Sequence, residues 1–307
     1  MNAIKNLFGP KILAFISIVC FVLLLSCADN NTIDFSANDN ANVQSEANSD
    51  SQTEETDDMA ALAVSSDAST LSGREDLGGR TEITIADERF NCAVVTLEKA
   101  TAIRPPANSA IIPHGVITID FGLACLGPGG KSRSGKIIIE YLGRRFMPGS
   151  KIITTFQNYS VNGIKLEGTR ILTNTSANET AAVSFSIIEE GMKVTYPDGT
   201  FATRSSSRIR TWNRMLNPTG DTWTVTGSAI GSNRKGKEYI MTITKPLVYK
   251  RSCAIINKVF IPVEGTKELK TGGKSVTIDY GNGNCNNKVT ITILGKSKEV
   301  ELTADGN

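Results

Sequence analysis

Val116-Ile117-Thr118-Ile119-Asp120-Phe121 sets Ile117, Ile119 and Phe121 on one side of an extended chain and Thr118 and Asp120 on the other. That period-two alternation is the mark of a half-buried β-strand. Outward from it the pattern recurs at 136–141, 151–156, 164–172, 183–188, 193–196, 201–212, 222–227, 238–244, 276–280 and 289–294. Asn162-Gly163, Glu190-Gly191 and Asp198-Gly199 fall between these runs and read as hairpin turns, where glycine supplies a positive φ. The runs lie too close together for crossover helices. The sequence therefore predicts an all-β domain over 81–307, an antiparallel meander forming a sandwich, a barrel or a long twisted sheet.

Two segments of this domain are related. Cys92-Ala93-Val94-Val95, Thr118-Ile119-Asp120-Phe121-Gly122 and Cys125 match Cys253-Ala254-Ile255-Ile256, Thr277-Ile278-Asp279-Tyr280-Gly281 and Cys285, with internal cysteine spacings of 33 and 32. We read a duplicated, cysteine-flanked β unit near 91–145 and 252–302, at the two ends of the domain. Four cysteines allow three pairings, and the duplication favours Cys92 with Cys125 and Cys253 with Cys285.

Ahead of the domain the chain has a different character. Residues 1–26 read as an export signal, with Lys5 and Lys11, an apolar run of 14 residues from Ile12 to Leu25, and the ending Leu24-Leu25-Ser26-Cys27. That ending matches a bacterial lipobox, so Cys27 is expected to carry lipid and to be the membrane attachment; the apolar run falls short of the ~20 residues that span a bilayer. Residues 27–80 are rich in Asn, Ser, Asp and Glu, and we expect a disordered acidic tether there. Of the chain's 31 Asp and Glu, ten lie in 28–73, which has no Lys or Arg, so that segment carries −10 and residues 74–307 carry +10. These features predict a cell-envelope protein, lipid-anchored and placed at the outer membrane.

Gly135-Lys136-Ile137-Ile138-Ile139, Pro148 to Phe156, Asn158 to Ile164, Glu167-Gly168-Thr169-Arg170 and Thr277 to Gly281 together resemble an uncharacterised group of β-rich lipoproteins common in Bacteroidetes. The likeness covers most of 90–302. It implies an envelope location and a β fold, and it carries no activity and no site residues.

Chemical motifs are few. One histidine, His114, excludes a mechanism that needs two imidazoles, and no Gly-x-Ser-x-Gly elbow is present. Gly130, Gly273 and Gly295 each begin Gly-Lys-Ser, but Cys125, Glu268 and Thr290 occupy the positions where a phosphate loop needs its first glycine, so all three read as turns. Asp120 and Asp279 are equivalent by the duplication; they read as turn residues, with paired-carboxylate, glycan-active chemistry as the alternative. We expect no catalytic residue, no metal site, no cofactor and no nucleic-acid partner. The one candidate binding surface is in the run 203–214, where Arg204, Arg208, Arg210, Trp212 and Arg214 share one face of a regular strand. Four guanidiniums beside an indole suit an anionic polysaccharide or lipopolysaccharide. The competing readings are a ladder of cross-strand ion pairs, for example with Glu189 and Glu190, and occupation of the same surface by the acidic tether.

Overall fold

A computed structural model of the chain describes residues 37–67, 79–99, 112–257 and 259–302. Helix α1 (Ala37–Ser65) precedes the strands β1 (Gly79–Glu82), β2 (Val94–Lys99), β3 (His114–Asp120), β4 (Cys125–Leu126), β5 (Ser132–Leu142), β6 (Lys151–Val161), β7 (Ile164–Asn174) and β8 (Val183–Thr195). Then come β9 (Phe201–Asn213), β10 (Thr222–Ser232), β11 (Glu238–Lys250), the short helix α2 (Arg251–Asn257), β12 (Glu264–Thr271), β13 (Lys274–Asn282), β14 (Lys288–Ile293) and β15 (Lys296–Glu301). All fifteen strands belong to one antiparallel sheet whose order follows the sequence, with β4 paired to β5 outside the main path.

Alternation explains which face is inside. In β3 the buried residues include Ile117 and Ile119, and in β13 they are Val276, Ile278 and Tyr280, each two apart. A flat sheet this wide would expose its apolar face. This one is bent by register shifts in β5, β6, β7, β8, β10, β11 and β12. At two of the bends only glycine fits: a Cβ on Gly227 (φ +128°) would meet the Ser207 carbonyl oxygen at 2.2 Å, and one on Gly265 (φ +104°) the Pro246 carbonyl oxygen at 2.2 Å.

The curled sheet encloses α1. From Asn42 onward the buried residues of α1 fall at all angles around its axis, Glu46, Asp50, Glu55 and Met59 among them, while Asp58 and Ser65 are exposed. Met59, Ala60, Ala63 and Val64 join the same apolar cluster as Val95, Leu97, Ile117, Ile119, Ile137 and Ile139. Over 37–67 this corrects the expectation of a disordered tether across 27–80. Residues 37–65 form 29 residues of helix, because the sheet interior supplies the counter-charges that the segment lacks by itself. The helix owes little to propensity, being rich in Asn, Ser, Asp and Thr. Thr53 and Thr56 turn their hydroxyls back onto the Ser49 and Gln52 carbonyls at 2.7 and 2.8 Å, so both are paired within the helix.

Both disulfides are those the duplication favours. Cys92 bonds Cys125 and Cys253 bonds Cys285, with Cα separations of 5.5 and 5.1 Å. The repeated strings match at their second half: Asp120 accepts a hydrogen bond from the Gly122 amide at 2.9 Å, and Asp279 one from the Gly281 amide at 2.8 Å. At the first half they diverge, since Val94 and Val95 enter β2 whereas Ile255 and Ile256 lie in α2. Asn162-Gly163 and Asp198-Gly199 turn hairpins as expected. Glu190-Gly191 does not. Gly191 (φ +58°) sits at a bulge, and the runs 183–188 and 193–196 fall on the two halves of β8, which ends at Thr195.

Candidate functional site

The strand β9 is regular, so Arg204, Ser206, Arg208 and Arg210 do share a face, but that face looks inward. Arg204, Arg208 and Arg210 are 2%, 4% and 3% exposed. The solvent-facing binding stripe expected from the sequence is thereby corrected: its three central arginines contact α1. Trp212 is half-buried and donates from Nε1 to Asp221 at 3.2 Å, and Arg214 lies beyond the strand with its guanidinium 4.6 Å from the Phe146 ring.

Glu46, Asp50, Glu54 and Asp57 recur at helical spacing along α1 and meet the sheet's cations. Asp50 accepts from Arg204 at 2.9 Å and from Arg208 at 2.7 Å, and it also pairs with Lys267 of β12. Glu46 lies 3.1 Å from Arg208 and 3.2 Å from Lys267, and it accepts from the Tyr239 hydroxyl at 3.1 Å. Glu54 pairs with Arg210, and Asp57 takes both Nε and Nη2 of Arg170 at 2.6 Å in a bidentate pair. On another side of the helix Glu55 pairs with Arg133 and, at 3.1 Å, with Lys131. One carboxylate comes from the sheet: Glu189 of β8 bridges Arg170 at 2.5 Å and Arg204 at 2.9 Å.

Six cations, Arg133, Arg170, Arg204, Arg208, Arg210 and Lys267, thus meet the carboxylates of Glu46, Asp50, Glu54, Glu55, Asp57 and Glu189, and the buried Asp67 at the end of the helical segment pairs with Lys99 at 2.9 Å. Burial pushes the Asp50 carboxyl up, but the charges of Arg208, Lys267 and Arg204 outweigh it and hold the group well below the usual carboxylate range. Burial likewise raises Glu189, and Arg204, Arg170 and Arg208 bring it down to about 2. Lys267 is desolvated, yet Asp50 beside it holds the ammonium above its ordinary value.

The candidate catalytic groups are placed apart. Asp120 on β3 closes its own turn and pairs with Lys136 at 2.8 Å, while Asp279 closes the equivalent turn on β13, with eight strands between the two in the sheet order. His114 opens β3, half-buried, with Nδ1 3.4 Å from the Ile112 carbonyl oxygen. Gly273 and Gly295 close the β12–β13 and β14–β15 hairpins, and Gly130 ends a single 3₁₀ turn. Among the described residues no group of three His, Cys, Asp or Glu is arranged to hold a metal ion, and no helix is long and apolar enough to cross a membrane. The export signal and Cys27 lie outside the described residues.

A second feature is on the outside of the sheet, and the sequence reading missed it. A groove of about 980 Å³ crosses β8 to β13 near their hairpin ends. Ile230 and Ile240 form its floor as cross-strand partners, 61% and 54% exposed. Ser205 and Lys270 extend that row on either side, and a second row runs Lys193, Thr203, Ser232. Glu238 and Lys274 stand at its rim. Only register could have located it, since these residues are spread over 80 positions and none forms a local motif.

No protein-family model matches the chain, and comparison with curated proteins and with solved structures finds no match.

Proposed function

We propose that this chain is a lipid-anchored, non-catalytic protein of the bacterial cell envelope, attached through lipid on Cys27 to the outer membrane. The observation that carries the reading is the fate of the acidic segment after the lipobox. Five of its ten carboxylates, Glu46, Asp50, Glu54, Glu55 and Asp57, meet buried guanidiniums and an ammonium, so nine residues, rather than some fifty, separate Cys27 from the first turn of the helix. An ion-paired interior filled by the chain's own helix suits a rigid displayed body with a binding or structural role. The alternative, a carboxylate-dependent glycan-active enzyme, is disfavoured because Asp120 and Asp279 each serve a separate turn.

The test is Cys27→Ser in the full chain expressed in a bacterial host. We expect loss of incorporated palmitate and release from the membrane fraction, with the fold unchanged; unaltered membrane partition would overturn the anchor.

A further inference from the structure

We infer that the outer groove across β8–β13 binds an acidic polysaccharide. The inference rests on the binding reading above and moves the ligand surface from the buried arginines to the opposite face of the same strands.

The groove's shape comes first. Six adjacent strands at ~4.8 Å spacing make it some 20–25 Å long across the sheet, room for several sugar rings in a row. It is open along its length, which suits an extended polymer entering side-on. A closed apolar tunnel, as an acyl chain would need, is not what these residues build.

The floor chemistry is mixed in a particular way. Ile230 and Ile240 give a flat aliphatic step of the kind that takes the C–H face of a pyranose ring, and β-branched side chains hold it with little rotamer freedom. Hydroxyls flank the step. Thr203 and Ser232 share a hydrogen bond at 2.8 Å, and the Ser205 oxygen accepts from the Gly191 amide at 3.3 Å. Each hydroxyl keeps donor or acceptor capacity for a partner that also offers hydroxyls. Phe201 lies two residues along the same strand face from Thr203, 47% exposed, with the Lys193 ammonium 4.7 Å from its ring.

Charge selects the acidic class. Lys193 stands at one end of the groove, and Lys270 and Lys274 at the other, against Glu238. Lys270 also lies 3.3 Å from Glu268, an exposed contact that costs little to exchange for a uronate carboxylate. Spaced lysines at both ends match a polymer with one carboxylate per ring or every few rings. A nucleic acid would call for a denser cationic track with stacking planes, and a strand-adding peptide needs a free sheet edge, whereas this groove lies on a face between paired strands.

The soluble Cys27→Ser chain is passed over immobilised polygalacturonate, with dextran as the neutral control and phosphatidylglycerol vesicles as a second anionic probe. We expect retention on polygalacturonate that falls as salt is raised, since screening acts over about 10 Å at 0.1 M, and none on dextran. Lys193→Ala with Lys274→Ala should weaken binding; at up to about 1 kcal/mol per exposed charge, each lysine accounts for at most about fivefold. Ile240→Asp should weaken it further, and none of these outer-face changes should shift the melting temperature by more than a degree or two, so a loss of binding is not a loss of fold. The inference is overturned by no retention, by equal affinity of the lysine double variant, or by vesicle binding that the same lysines control. Because this assay uses the unlipidated chain, its outcome is independent of whether Cys27 anchors the wild type, which fractionation reads separately.

Discussion

Asp50 is the residue on which the interior turns. It touches Arg204, Arg208 and Lys267 at once, and each of those cations has been taken out of water to meet it. A buried ion pair contributes little relative to well-packed apolar residues, but removing one partner leaves the other's desolvation uncompensated, at about 3–5 kcal/mol. We therefore expect Asp50→Asn to destabilise the domain by about 3 kcal/mol or more, read as a fall in denaturation midpoint, with Glu46 absorbing only part of the loss because it already serves Arg208, Lys267 and Tyr239. A substitution that left the midpoint unchanged would show that α1 does not occupy the sheet interior in solution. The same residue shows why this site was hard to read from sequence. Asp50 sits 154 positions from Arg204 and 217 from Lys267, so its neighbours along the chain reveal none of its partners.

At the scale of elements, strands were legible and the helix was not. Period-two alternation reports burial of one face directly, which is why the runs at 201–212 and 164–172 become β9 and β7 nearly as delimited. The misread turn at Glu190-Gly191 has a local reason: the dipeptide that turns a hairpin also makes a bulge, and only partner strands decide between them. The helix gave no apolar stripe to find. Its acids do recur at 46, 50, 54 and 57, but a run of Asn, Ser and Glu reads as disordered until six cations from distant strands are placed around it. The two models of this segment differ in a measurable way. Glu46, Glu54 and Glu55 are cleavage sites for a glutamate-specific protease; in an exposed tether they would be cut within the first minutes of digestion. Enclosed in the sheet, they should survive as long as the domain does, while a protein unfolded in urea is cut at all three. Fast cleavage at Glu46 or Glu54 in the native protein would return the segment to the tether reading.

For the whole molecule, the opposed charges of the two sequence segments become a property of stability. The −10 of 28–73 and the +10 of 74–307 do not stand wholly as a dipole in solvent; five carboxylates of the first segment are enclosed against cations of the second. The pH dependence follows from the carboxyl groups that lose protons more readily when folded. Glu189 is held at about 2, and Asp50, Asp57 and Glu55 are all lowered by the guanidinium and ammonium groups that outweigh their burial. A carboxyl with a depressed folded pKa stabilises the fold at pH above its unfolded value near 4, and that stabilisation drains away as pH falls through the folded value. Glu54 runs the other way, since burial and the neighbouring Asp57 and Asp50 charges raise it despite Arg210, so it offsets a part of the slope. Lys267 is held above its usual value, so its contribution is fully present at neutral pH and does not shape the acid limb. The net expectation is a melting temperature that is flat from about pH 8 to 5 and drops steeply between about pH 4 and 2. The drop should be shallower in Asp50→Asn, which has already lost one of the groups that titrate. Thermal melts followed by circular dichroism across that range read both curves. Parallel acid limbs in the two proteins would mean that exposed carboxylates, and not the enclosed helix, set the acid stability.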